Sequence, residues 1–179
     1  MANPEQLEYL QDSADDWNIY RREHAITRPE LMGADLSAMQ LPGADLNGAD
    51  LLKADLRATD LTGANLAHAN LIGANLSGAF LLNVDLRGAN LTGADLTGAN
   101  LTGVNASGAN LTIAMLVGAT LSVANLENAD LSYADLHQAD LSGANLTNAT
   151  LLQADLSGAT LSDVDLSRAD LTGSIGLKM

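Results

Sequence analysis

From residue 31 to residue 171 every fifth position is leucine except Ala106, 28 of 29 positions. Two residues before each one, from Ala34 to Ala169, alanine stands in 23 of 28 cases; Met39, Thr59, Val84, Val104 and Val164 are the exceptions. The residue between is Asp thirteen times and Asn nine times among those 28. Ser or Thr and then Gly usually follow the leucine. A period of five is incompatible with a helix, because it would carry leucine steadily around the circumference. It is equally incompatible with a simple strand, whose alternation needs an even period.

Each unit does hold one cycle of alternation: Ala inward, Asp or Asn outward, Leu inward. The next two residues reset the phase, and Ser-Gly or Thr-Gly is suitable turn chemistry. The chain therefore runs one short extended side, turns a corner and repeats. Such a path closes into coils, and coils stacked about 4.8 Å apart satisfy one another's backbone groups as neighbouring strands do. Aromatic residues make up only 3% of a chain that is 47% hydrophobic, so the core has to be built from Leu and Ala.

The A(D/N)LxG pattern resembles the pentapeptide-repeat family over Leu31 to about Gly173. That resemblance supplies what periodicity leaves open, the number of sides. It implies an all-β, right-handed quadrilateral parallel β-helix of about seven coils, four pentapeptides to a coil. Twenty residues per coil would stack Leu46, Leu66, Leu86, Ala106, Leu126, Leu146 and Leu166 in one column. Ala106 is read as packing partly compensated by Val104 on the same side. With Ile113 and Met115 close behind, residues 104–117 also read as a seam between two shorter rods.

Residues 1–30 do not repeat and are expected to form a short α-helical N-terminal cap, followed by the repeat domain to residue 173 and a tail at 174–179. Asn3 caps a first helix, with Pro4 in its first position and Gln6 three after the cap; Ser13 caps a second, with Asp16 three later. Leu7, Leu10, Trp17 and Tyr20 are expected over the open end of the core. In the tail Ile175, Leu177 and Met179 alternate as a final strand would. Either the tail folds over the last coil or that coil meets another copy. A homodimer through the C-terminal coil follows from the second choice, although the aromatic-rich dimer module of some relatives is missing.

The chain has 22 acidic and 8 basic residues, a formal charge of −14. Such a surface disfavours direct nucleic-acid binding and anionic membranes and favours a protein partner with a basic groove. No apolar run approaches membrane-spanning length; the longest covers residues 113–119. Without cysteine there is no thiolate or disulfide chemistry, and a cytoplasmic location is expected. No catalytic, cofactor-binding or metal-ligating constellation is found: His24, His68 and His137 lie far apart, and the carboxylates stand on a convex surface. We therefore expect no enzyme.

Two outward surfaces stand out as candidate contacts. One wall stacks Asp35, Asp55, Asn75, Asp95, Met115, Asp135 and Asp155, the most acidic of the four. Met32, Leu52 and Ile72 form an apolar strip, exposed or covered by the N-terminal segment. The function expected is a non-catalytic rigid scaffold, a protein-interaction module of unknown function with an acidic surface. The alternative comes from the resemblance. Several relatives imitate DNA in the saddle of DNA gyrase, so Asp35, Asp55, Asp95, Asp135 and Asp155 would be the mimic. Arg57 and Arg87 break up that field, and the repeats carry no interrupting loop.

Overall fold

Twenty residues make one turn of the chain, as the parallel bridges show directly: Asp35 pairs with Asp55, Asp45 with Asn65, and so on to Asp155 with Ile175. The structure, a computed structural model, describes residues 1–177. Each five-residue side contributes a single bridged residue, so the walls are ladders of isolated parallel bridges and not extended strands. We name each wall by its first outward residue: Asp35, Gln40, Asp45 and Asp50.

One pentapeptide shows why the repeat has this composition. Asn75 N–H donates to Ala54 of the coil before, and Leu76 and Gly78 N–H donate to Asp95 and Thr97 of the coil after (2.9, 2.6 and 3.0 Å). Ala79 N–H closes a β-turn on Leu76 O (3.0 Å). Ser77 N–H, at the corner, is taken by Asn75 Oδ1 (3.0 Å). All five amides are satisfied, three between coils and two within the corner. The outward residue is Asp or Asn because the corner needs a side-chain acceptor two residues upstream. The corner's second residue has positive φ, as a type II turn requires, and Gly78 sits there at +64°.

Inside the coils the repeat leucines from Leu31 to Leu156 are all buried, with the alanines between them. Ala106 is buried too, and so are Val104 beside it and Val84 one coil earlier. Each valine in place of alanine adds two carbons; Ala106 in place of leucine removes three. Val104 and Ala106, side by side in one wall, offset each other in part, and Val84 adds volume one coil earlier.

The N-terminal end is closed by two helices, α1 at Pro4–Asp12 and α2 at Ala14–Glu23. Asn3 and Ser13 cap them, Asn3 Oδ1 accepting from Glu5 and Gln6 N–H and Ser13 Oγ from Asp16 N–H. Leu10, Trp17 and Tyr20 are buried on the first coil, and Leu7 packs partly buried beside them. Gln6 differs from the expected capping box: its Oε1 accepts from Glu30 N–H (2.7 Å), while Asn3 N–H donates to Glu30 O (2.7 Å). Side chains of α2 do the same on the Asp45 wall. Asn18 Oδ1 accepts from Asp45 N–H (2.7 Å), and Trp17 Nε1 and Arg21 donate to Asp45 O. Arg21, itself buried, also reaches Ile26 O and Asn47 O (3.0 and 2.7 Å). These polar side chains stand where a preceding coil's backbone would be, which is how a sheet edge is blunted here.

The last coil has no such cover among the described residues. Leu161, Leu166 and Leu171 are only half-buried, whereas Leu141, Leu146 and Leu151 above them are fully buried. No bridge joins Asn145 to Asp165. The tail departs from an alternating strand. Ile175 faces outward, exposed, and Gly176 takes the leucine register at φ +87°, where a Cβ would lie 2.2 Å from Ser157 N. Leu177 then packs partly buried against the core, and Met179 lies outside the described residues.

The volume exchange around Ala106 gives the first prediction. Val104→Ala should destabilise by about 1–3 kcal/mol through a void, and Ala106→Leu by about 1–3 kcal/mol through overpacking. The double variant, which restores the repeat, should be close to neutral in urea denaturation. Additive losses would contradict the compensation.

Candidate protein-binding surfaces

Asp and Asn perform the same local task at the outward position, so the turn itself does not require a charge. Asp95 Oδ1 accepts Thr97 N–H (3.0 Å) much as Asn75 Oδ1 accepts Ser77 N–H. The excess of carboxylates over what the corners need is therefore a property of the surface.

The five aspartates singled out on the Asp35 wall do share it, but they do not form one line of charge. Asp55 is held by Arg57, Nε to Oδ1 at 2.8 Å with a second contact from Nη2 to Oδ2. Met115 stands between Asp95 and Asp135, bridged to both. On other walls Arg87 clamps Asp85 in the same way, Arg28 reaches Asp50 (3.1 Å) and Arg21 reaches Asp45 (3.2 Å). Arginine pairing is thus concentrated in the first half of the rod. Residues 88–167 contain eight acidic residues and no Lys or Arg. Within the repeats the uncompensated negative charge belongs to the later coils, on several walls.

Local hydrogen bonds stabilise the charged form of several carboxyls. Donation from the Ser37 side chain and then its N–H holds Asp35 below the ordinary value, and Ser157 does the same for Asp155. At Asp55 the Arg57 side chain dominates. Asp140 receives the Ser122 hydroxyl across coils (2.6 Å) and Ser142 within its own corner, and is lowered for that reason.

The apolar strip is partly overlaid by the N-terminal segment. Met1, Ala2 and Leu7 border a groove of about 620 Å³ with Met32, Leu52 and Lys53, while Met32 remains exposed. Ile72 does not line it. Other large apolar side chains are exposed farther along: Phe80, Ile113, Met115, Val123 and Tyr133. The positive-φ corner position is glycine at about half of the corners and a small or polar residue at most of the others; Ile113, Val123 and Tyr133 are the large apolar or aromatic side chains placed there, and that was the signal in the sequence. Among the described residues no group of His, Asp and Glu is arranged to hold a metal ion, and no helix is long and apolar enough to cross a membrane.

The family profile "Pentapeptide repeats (8 copies)" matches residues 30–67, 64–103, 105–143 and 139–175. A trypsin-treated variant of QnrB1, a plasmid-mediated fluoroquinolone resistance protein, is similar in structure, with TM-score 0.65 and 25% identity over 82% of this chain and 76% of that one. HetL, a pentapeptide-repeat protein involved in heterocyst differentiation regulation in the cyanobacterium Nostoc sp. strain PCC 7120, is 32% identical. The match covers 90% of this chain and 98% of HetL, at TM-score 0.44. Rfr23 from the cyanobacterium Cyanothece 51142 is 26% identical over 88% and 96%, at TM-score 0.42. No curated protein sequence matches significantly.

The lowered carboxyls set a pH dependence. A folded value below the unfolded one, about 3.9 for Asp, contributes stability that is full above the unfolded value and lost as the pH falls through the folded values. Tm should hold steady down to about pH 5 and fall below about pH 4. In Asp35→Asn/Asp140→Asn/Asp155→Asn the acid loss should be smaller. A wild-type Tm that climbs throughout acidification would contradict this.

Proposed function

The chain belongs to the pentapeptide-repeat family, and on that premise we propose that it is a non-catalytic, rigid interaction scaffold whose acidic walls meet a protein with a basic surface. The observation that carries this reading is the run of residues 88–167, with eight carboxylates and no Lys or Arg on convex walls, six of the eight being outward aspartates whose corners would be equally satisfied by Asn. A convex, solvated surface does not separate the pKa values of paired carboxyls as acid–base catalysis demands. We infer the right-hand winding and all-β class of the family for the repeat, with residues 1–30 as its cap and 174–179 as its tail. A cytoplasmic location is supported by the absence of cysteine.

The second reading, a DNA mimic acting on gyrase, is favoured by the structural similarity to QnrB1. Arg57 on Asp55 and the interruption at Met115 weigh against a continuous phosphate-like line on the Asp35 wall. A further partner is a second copy docked on the half-buried leucines of the last coil.

The test compares the wild type with the variant carrying Asn at 35, 55, 95, 135 and 155, which keeps every corner acceptor and should fold unchanged. Immobilised wild type should retain basic proteins at low salt and release them at high salt, with retention reduced in the variant. Equal retention by both would remove the acidic wall as the contact. Inhibition of gyrase supercoiling by the wild type and not by the variant would establish mimicry. No inhibition at micromolar concentration would eliminate it. Light scattering should show a mass that rises with concentration if the last coil pairs; a monomer throughout would rule that out.

A further inference from the structure

Three residues in two adjacent coils each give up something the repeat normally secures. Ile113 follows Gly73 and Gly93 in a corner column that also holds Lys53 and Gln153, and it is the β-branched residue of that column, at φ +60°. A β-branched residue there costs free energy, and burial returns little because Ile113 is 59% exposed. Tyr133, the next residue down the column, also has φ +60° and is 51% exposed. The two coils are joined at this point by Ile113 N–H donating to Ser132 O (2.9 Å). Met115, 44% exposed, replaces the Asp or Asn that would accept the amide two residues on. Val117 N–H consequently has no acceptor among the described residues. Positions that break local rules without a gain to the fold are where function is expected.

The surroundings of this corner are acidic. Asp95 and Asp135 bridge Met115 on either side, and Asp130 lies three residues before Tyr133. Each uses Oδ1 for its own corner, accepting from Thr97, His137 and Ser132 N–H. The second oxygen of each accepts no hydrogen bond from any described residue. Val123 is also β-branched at a positive-φ corner, but it lies in a different column, between Gly103 and Gly143.

We propose that the Ile113–Met115–Tyr133 corner is the docking site for a protein segment that presents apolar side chains flanked by Lys or Arg. An exposed apolar cluster ringed by carboxylates has the composition of a contact centre with a charged rim. Charge complementarity selects the occupant: nucleic acid, an anionic membrane and a second copy of this chain would each bring negative charge against Asp95, Asp130 and Asp135. The assignment rests on the scaffold reading above and locates its centre.

The experiment uses a fluorescent peptide of alternating leucine and lysine as probe, with leucine–glutamate and serine–lysine peptides as controls. The corner variant is Ile113→Gly/Met115→Asn/Tyr133→Gly, which restores the repeat and should raise Tm. The wild type should bind the leucine–lysine peptide in a salt-sensitive way, the leucine–glutamate peptide not at all and the serine–lysine peptide more weakly. The corner variant should lose at least about tenfold in affinity for the leucine–lysine peptide. Asp95→Asn/Asp135→Asn should flatten the salt dependence, and amide-exchange protection on binding should centre on residues 113–135. Salt-sensitive binding that the corner variant retains in full, or a footprint on another wall or the last coil, would overturn this site and leave the scaffold reading standing. Absence of salt-sensitive binding would overturn both. Concentration-dependent self-association abolished in the corner variant would overturn the cationic occupant.

Discussion

The rod depends on one interaction, the hydrogen bond from the N–H of the repeat leucines between Leu31 and Leu156, Leu146 excepted, to a carbonyl nineteen residues later, such as Leu76 to Asp95. That bond fixes the coil at twenty residues. It brings each leucine over the next, and it leaves the corner amide to be satisfied locally. Leucine inward, glycine at the corner and Asp or Asn outward are consequences of the same ladder. Because every coil needs a neighbour on both sides, the difficult positions are the two ends.

The two ends are treated differently. At the N-terminal end Gln6, Trp17, Asn18 and Arg21 imitate the donors and acceptors of a missing coil. An arginine buried for that purpose is tolerated because its donors meet backbone carbonyls and Asp45. At the other end the described residues carry no such imitation, and packing declines from Leu156 to Leu171.

Most of the interior was legible in the sequence, since periodicity fixes which residues face inward and the family resemblance supplies four sides. The cap's existence and its apolar contacts at Leu10, Trp17 and Tyr20 were legible for the same reason: an open core needs cover. The roles of Gln6, Asn18 and Arg21 were not, because polar mimicry depends on distances across some 25 positions that no local pattern encodes. The acidic wall was half legible. Counting carboxylates located the column, but Arg57 on Asp55 depends on side-chain geometry. In the sequence the stretch 104–117 is marked by its missing leucine, whereas its lasting peculiarity faces outward, at Ile113 and Met115.

The most direct test of this account is native-state amide exchange along the whole chain. Slow exchange is expected for leucine and outward-residue amides from coil to coil, including Asp45 N–H, which Asn18 covers, with protection declining through residues 161–177. Corner amides that rely on a side-chain acceptor, such as Ser77 N–H, should exchange faster than Leu76 N–H beside them. Asp45 N–H exchanging as an open edge, or uniform protection to residue 177 in a monomer, would contradict an asymmetric rod closed by polar mimicry at one end.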